Sequence, residues 1–483
     1  APAAPAAALG ATAPAAVGPP TQVVYGPVGR STTTDRSDPD DRPAATGPTR
    51  PSDRSSAAAG AGPDRDTTVS STAAKGPTAA GSAGTVSGRT GRPAARTAVR
   101  KPLFNPRWAV SITVVGWLFS RVTLIFTAIV IGSSYGRSGL DSLVQWDAVH
   151  FINLSERGYP LDDVPQAAFF PGLPLLIAAG RLVGLSSVTA GFLISLLASA
   201  VVAWGLFRLA GGGVAGAVAA GAWCFAPMAV FTIVPYSESL FLAFAIWAWV
   251  KARSDRWWQA GLLAAAAGLI RVSGVFLLGA LALLAIWGFG QIDWVRVRRR
   301  LAWLSLPLLS IFSYVLYLRF HYGHWDTWLQ AQQTGWGRSF HWPWEALRTT
   351  MCAAGWLNQP NAAGQPCSAG YDPGNAGIFS GEILAVAVGL AIAAICLWRR
   401  KIGEGGWVGA QVLAFSCQVW FISAARAVLL WFPLWTTLGE VAGAQRRGRV
   451  WWARLAFFVL TWAVSFGLML AWAVRYFNGA WAG

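Results

Sequence analysis

Charged side chains are scarce in this sequence. Asp, Glu, Lys and Arg make up 12% of its 483 residues, against roughly 25% in ordinary soluble domains. Acids are scarcer still, 21 against 38 basic residues. With 54% hydrophobic residues and a mean hydropathy of +0.44, this shortage excludes a soluble enzyme built on a nucleotide-binding sheet. Histidines number four and cysteines five, and no spacing among them resembles a zinc site. No Asp-x-Asp pair lies among the apolar runs. No metal and no cofactor is therefore expected. No internal repeat is evident either, which speaks against a transporter assembled from duplicated halves.

What is present is a succession of apolar runs of about 20 residues, the signature of a polytopic all-α membrane protein. The 28 Trp suit anchoring at the two membrane interfaces. The net charge of +17 is not a nucleic-acid footprint, because the Arg clusters fall between apolar runs, where cytoplasmic loops carry them. Residues 1–100 hold almost no large apolar side chains and are expected to be a disordered tail. The tail ends in a basic stretch (Arg92, Arg96, Arg100, Lys101, Arg107) that places it in the cytoplasm. Residues 101–483 are expected to form one transmembrane domain.

The first span runs from about Trp108 to Gly132. A further apolar stretch, Ala167 to Val183, is interrupted by Pro171, Gly172, Pro174 and Arg181 and is read as dipping into the outer leaflet without crossing. Ten further spans are then expected, at 187–208, 213–234, 237–252, 257–270, 273–290, 301–320, 378–398, 407–422, 427–443 and 450–474, about eleven in all. This assignment sends every strong basic cluster, such as Arg296 to Arg300 and Arg399 to Lys401, to the cytoplasm; letting 167–183 cross would send them outside. The outer side receives a first loop, 134–186, and a large loop, 321–377. Cys352 and Cys367 flank a Gly/Asn/Pro-rich part of the latter, and a disulfide between them is expected there. Cys224, Cys396 and Cys417 lie in apolar runs and read as small buried residues.

Polar groups from distant parts of the chain meet on this outer rim. Asp147 and His150 stand three residues apart between Trp146 and Phe151, on one face if the segment is helical. Asp147 is either a solvated loop acid or the general base that takes a proton from an acceptor hydroxyl during sugar transfer. His150 is either a structural interfacial histidine or a group that relays that proton or meets a phosphate. In Val234-Pro235-Tyr236-Ser237-Glu238, Pro235 breaks the apolar run, and Ser237 or Tyr236 is expected to cap the next helix. Glu238 then falls in the first turn, as a helix-end acid or as a partner of sugar hydroxyls and Asp147. Arg271 and Arg426 each interrupt apolar sequence near the same rim, where two guanidiniums suit a phosphate. The stretch His321 to Trp344 is dense in aromatic and polar side chains, Gln332, Trp336 and Arg338 among them, and suits lipid headgroups or sugar rings.

These residues resemble a family. Trp146-Asp147-Ala148-Val149-His150-Phe151, then Gly158-Tyr159 and Ala168-Phe169-Phe170-Pro171, is similar to the opening signature of PIG-V-type mannosyltransferases. Tyr236-Ser237-Glu238-Ser239-Leu240-Phe241 resembles their second signature, and Arg271 with Gly274 their Arg-x-x-Gly break. Ala331-Gln332, Trp336-Gly337-Arg338 and Pro343-Trp344 follow the loop pattern, and Ala425-Arg426 with Phe432-Pro433-Leu434 the C-terminal motif. Ala427 stands where that motif commonly has Tyr, and Ile270 where a small polar residue is usual.

The resemblance covers about residues 108–445 and implies a GT-C fold with its catalytic acid in the first outer loop. The donor it implies is polyprenyl-phosphate mannose, and transfer with inversion gives an α-mannoside. In eukaryotes such enzymes add the second mannose of the GPI anchor. The Ala/Gly/Arg-rich composition points instead to a bacterial plasma membrane and a glycolipid or cell-envelope glycan acceptor. On this reading Asp147, Glu238 and His150 are the catalytic group. Trp146, Phe170, Tyr236, Arg271, Gln332, Trp336, Arg338 and Arg426 bind the substrates. The rival expectations are a flippase or transporter of lipid-linked sugars and a GT-C enzyme using another polyprenyl-phosphate sugar.

Overall fold

The structure, a computed structural model, describes residues 106–360, 364, 367, 373–444 and 449–482, and they belong to one unit of the chain, 101–483. The expected tail lies outside the described residues. Among those residues every regular element is helical. In chain order they are α1 (Pro106–Ser134), α2 (Asp147–Arg157), α3 (Gly172–Leu182), α4 (Ser187–Leu209), α5 (Gly213–Cys224), α6 (Ser237–Arg253), α7 (Trp257–Gly268), α8 (Ser273–Trp287) and α9 (Trp294–Trp303). There follow α10 (Ser305–Tyr322), α11 (Thr327–Trp336), α12 (Pro343–Ala353), α13 (Ala376–Trp398), α14 (Ile402–Ser416), the single turn α15 (Ala424–Ala427), α16 (Phe432–Gly443) and α17 (Arg449–Phe477).

Among the described residues five stretches are long and apolar enough to cross a membrane: Arg107–Ser134, Ser187–Leu209, Trp294–Tyr322, Ala376–Trp398 and Trp452–Phe477. The short α3, 11 residues and about 16 Å long, lies where a non-crossing segment is expected. The expected span 213–234 is corrected: α5 stops at Cys224, Pro227 cannot continue it, and a 3-10 turn, Ala229–Thr232, follows. The break is closed by Arg121 of α1. Its guanidinium is buried against the Trp223 ring, donates to the Cys224 carbonyl at 3.3 Å and bonds the Thr232 hydroxyl. The expected span 407–422 is likewise shorter as a helix, since α14 ends at Ser416.

The core is unusually aromatic. Trp223, Trp249, Trp407 and Trp431 are all 0% exposed, so part of the tryptophan excess packs the interior and does not anchor an interface. The Trp223 and Trp407 indoles donate to the Leu429 and Leu430 carbonyls at 3.1 Å each. Elsewhere helices approach through small residues, as when Gly439 of α16 packs so closely on the Ala215 backbone of α5 that a Cβ would collide with its carbonyl. Cys224 and Cys396 are buried, Cys417 only partly so, and Cys352 is disulfide-bonded to Cys367.

The segment between α2 and α3 is fixed from the side by α10 and α11. The Tyr314 hydroxyl lies 2.9 Å from both the Ala167 and the Phe169 carbonyls, and Tyr322 donates to the Pro160 carbonyl at 2.9 Å. Trp328 donates to the Ala168 carbonyl at 3.3 Å. At the far end the Gly172 N–H donates to the Leu269 carbonyl at 2.7 Å, joining the Phe-Phe-Pro turn to the break before Arg271. That approach needs glycine, because a Cβ would sit 2.8 Å from the Leu269 oxygen. Gly172→Ala is therefore expected to destabilise the protein by about 1–3 kcal/mol, read as a lower unfolding midpoint in detergent; an unchanged midpoint would contradict this packing.

Candidate active site

Asp147 opens α2, where the helix dipole favours an acid. The residue before it, Trp146, has φ of 53°, a left-handed conformation that a bulky side chain adopts only when its surroundings impose it. Those surroundings are explicit. The Tyr236 hydroxyl accepts from the Asp147 N–H at 3.1 Å and lies 3.3 Å from the Gln145 carbonyl. The Tyr476 hydroxyl, from α17, donates to the same carbonyl at 3.0 Å. The Trp146 indole donates to the Ala480 carbonyl at 3.2 Å. Two buried phenols and the C-terminal segment thus pin the turn that presents Asp147.

Four of the expected charges form one line. Arg426 Nη1 meets Asp147 Oδ2 at 2.9 Å, and its Nε lies 3.2 Å from Glu238 Oε1. Arg271 Nη1 reaches the same Glu238 oxygen at 2.7 Å and donates to the Ser237 hydroxyl at 2.9 Å. Glu238 is 1% exposed, and the Arg426 guanidinium sits over the Phe231 and Tyr236 rings. Burial alone would lower the pKa of Arg426, but the adjoining Asp147 and Glu238 carboxylates outweigh it and raise the value. The expectation that Ser237 or Tyr236 caps α6 is corrected. Neither side chain makes a capping bond, because Ser237 serves Arg271 and Tyr236 serves the Asp147 turn.

Arg338 differs from the other two arginines. It follows the end of α11 and makes no ion pair with an acid among the described residues, and its buried Nε has no hydrogen-bond partner there. Burial and then the neighbouring Arg426 charge push its pKa down to about 10, with Arg271 adding to the effect and Asp147 and Glu382 opposing it. The local field thus disfavours this third cation, and an incoming anion would restore the balance.

The remaining expected residues divide. His150 is turned to an aromatic wall, stacked on Phe169 at 4.9 Å with the Trp336 ring edge-on at 6.0 Å. Its Nδ1 lies 3.0 Å from Gln166 Nε2, and the same amide nitrogen donates to Asp163 Oδ2 at 3.0 Å. With the amide oriented by Asp163, its nitrogen donates to His150 Nδ1, which leaves Nε2 as the ring's donor. Trp336 therefore joins His150, Gln332 is half-buried on the same helix, and Trp146 is partly exposed. Phe170 and Tyr236 are buried, Phe170 against Tyr314 at 4.5 Å and Tyr236 in the manner described, so both support the site from behind. Sequence reading missed Glu382, fully buried in α13, whose Oε2 accepts the Ala425 N–H at 2.9 Å. It also missed Tyr476, Gln166 and Arg121. The available signal for Glu382 and Arg121 was an ionisable residue inside an apolar run.

Residues 115–344 match a family model described as mannosyltransferase (PIG-V). The mouse GPI alpha-1,6-mannosyltransferase 2 is 31% identical over 212 residues, which is 38% of this chain and 41% of the mouse protein. The human protein of the same name is 31% identical over 36% of this chain and 38% of its own length. The Chinese hamster (Cricetulus griseus) protein is 35% identical over 29% and 31%. The matches span less than half the length of these curated relatives. Among solved structures, the oligosaccharyltransferase of Archaeoglobus fulgidus in its apo form is 13% identical with a TM-score of 0.45, covering 79% of this chain and 57% of that one. A complex of that organism's oligosaccharyltransferase AglB with an inhibitory peptide and a dolichol-phosphate gives 14%, 0.44, 79% and 57%.

Because Arg426 partners two carboxylates, Arg426→Ala is expected to cost roughly 3–5 kcal/mol of stability. Arg271→Ala should cost less, since Glu238 would keep Arg426. Denaturant unfolding of both variants checks the order, and an equal or reversed cost would contradict the bridging role of Arg426.

Proposed function

We propose, from the match of residues 115–344 to the mannosyltransferase (PIG-V) family model, that the chain is a GT-C-type membrane mannosyltransferase. It moves mannose from polyprenyl-phosphate mannose to a hydroxyl of a glycolipid or cell-envelope glycan. The site faces the extracytoplasmic side of a bacterial plasma membrane, with the N-terminus in the cytoplasm.

The observation that carries the reading is the unequal pairing of three arginines beside one available carboxylate. Arg426 and Arg271 are engaged by Asp147 and Glu238, whereas Arg338 is not engaged by an acid among the described residues. Arg338 is thus the cation for the donor phosphate, a refinement of the expectation that placed the phosphate on Arg271 and Arg426. Those two set the geometry and add positive field behind it. Asp147 is held through Oδ2, and no protein donor meets its Oδ1 among the described residues. The acceptor oxygen attacks the anomeric carbon on the face opposite the phosphate and passes its proton to Asp147 Oδ1. The bond from that carbon to the phosphate oxygen breaks, and its electron pair leaves on the phosphate. Inversion of a β-linked donor gives the α-mannoside. His150, with its proton on Nε2, donates to a sugar hydroxyl or to the phosphate. Trp336, Gln332 and Trp146 line the sugar. In the proposed step arginine supplies the countercharge for the phosphate, with Arg426 and Arg271 already paired to Asp147 and Glu238.

Protein in lipid, given polyprenyl-phosphate mannose and a membrane glycolipid extract, should release and transfer the sugar. Asp147→Asn should lower the rate by roughly 10²- to 10⁴-fold while still binding donor. Transfer that survives the substitution would move the base to another residue, Glu238 first. Movement of donor across the bilayer with no transfer would replace the enzyme by a transporter. Separately, Arg338→Ala should weaken donor binding by about 10- to 100-fold, the loss of one charge-assisted contact of about 1.5–3 kcal/mol, with little change in unfolding. An unchanged donor KM would remove Arg338 from the phosphate site.

A further inference from the structure

Arg426 lies in α15, a turn of four residues. A single helical turn does not hold itself, because its nucleation cost is not repaid by further hydrogen bonds. The turn is entered through Ser423 at φ of 58°, a left-handed residue that leaves the next N–H groups without helical partners. Its exit is held from two sides, since the Trp223 and Trp407 indoles donate to the carbonyls of Leu429 and Leu430. Its approach is held where the Phe421 N–H donates to the Thr350 hydroxyl at 2.8 Å. Between these fixed points the open end of the turn meets one side chain, Glu382 of α13, whose Oε2 accepts the Ala425 N–H at 2.9 Å. The N–H groups of Ala424 and Ser423 also face this carboxylate, and its other oxygen has no protein partner among the described residues.

An acid that is 0% exposed inside an apolar span needs a reason to be there. An ordinary N-cap comes from the residue that precedes the helix. Here the cap comes from another helix, so it ties the position of α15 to α13. The residue next to the capped N–H is Arg426, whose guanidinium bridges Asp147 and Glu238. We propose that Glu382 is a positioning residue for sugar transfer: its carboxylate caps the Ser423–Ala425 turn from α13 and so fixes the Arg426 guanidinium on Asp147. This rests on the function proposed above only in so far as Asp147 is the base; the cap itself does not depend on it.

The test uses the full chain in lipid nanodiscs, with Glu382→Ala, Glu382→Gln, Arg426→Ala and the Glu382→Ala/Arg426→Ala pair. Glu382→Gln keeps an acceptor oxygen at the same reach; Glu382→Ala removes it. Without substrate, amide hydrogen exchange in peptides covering residues 421–430 should speed up at least tenfold in the Ala variant and stay near wild type in the Gln variant. With polyprenyl-phosphate mannose, kcat should fall at least tenfold in the Ala variant, with a much smaller change in donor KM, and recover in the Gln variant. The double variant should transfer no worse than Arg426→Ala alone, because Glu382 acts through Arg426. Should Glu382→Ala fail to fold, Glu382→Asp, one methylene shorter, is read in its place.

Wild-type exchange rates at 421–430 in the Ala variant would overturn the cap. A Gln variant as inactive as Ala would overturn positioning in favour of a role for the Glu382 proton or charge, and so would an additive loss in the double variant. Absence of transfer by the wild type would defeat the mannosyltransferase reading alone, since hydrogen exchange still decides whether Glu382 caps the turn.

Discussion

Everything at this site depends on one row of alternating charges, Asp147, Arg426, Glu238 and Arg271, held almost dry. Removing such groups from water costs several kcal/mol per ion, repaid only when each finds its partner in good geometry. The chain has few charges to spend, and these four come from the start of α2, the turn of α15, the first turn of α6 and the break before α8. A buried row assembled from four remote segments stands only if all four arrive. The same interactions that pair these four charges therefore also set the relation of an acid to two guanidiniums.

The surrounding framework serves that row in layers. Phenols fix backbone: Tyr236 and Tyr476 hold the turn before Asp147, and Tyr314 and Tyr322 hold the segment that leads into α3. Buried charges hold breaks: Arg121 closes the gap between α5 and α6, and Glu382 closes the turn that carries Arg426. Small residues let backbones meet, most sharply where Gly172 binds the Leu269 carbonyl. Strained or interrupted helix is kept where the chain lines a polar site, and the bonds that stabilise it come from neighbouring helices.

Much of this was legible in the sequence because polar residues in an apolar chain are conspicuous. Asp147, Glu238, Arg271 and Arg426 stand out as polar residues between hydrophobic runs, and the topology expected from alternating basic clusters puts them on one rim. Their pairing was not legible. Arg426 and Asp147 are 279 residues apart in sequence, and no periodicity links them. Both arginines were therefore assigned to a phosphate, whereas the structure pairs them with acids and leaves Arg338 without one among the described residues. Glu382 was passed over because one carboxylate barely alters the hydropathy of the 23-residue α13. The length of α5 was overestimated by the same averaging, although Pro227 marked the break. The burial of Trp223, Trp249, Trp407 and Trp431 is likewise a tertiary outcome that composition cannot separate from interfacial anchoring.

In the proposed step the paired arginines build the site, while Arg338, with no acid partner among the described residues, receives the anion. The most direct measurement is a cryo-electron microscopy map of the protein with a polyprenyl phosphate bound in a nanodisc. Phosphate density is expected within hydrogen-bond distance of the Arg338 guanidinium, with Arg426 still bridging Asp147 and Glu238. Phosphate seated on Arg426 with its bond to Asp147 broken, or bound away from all three arginines, would contradict it.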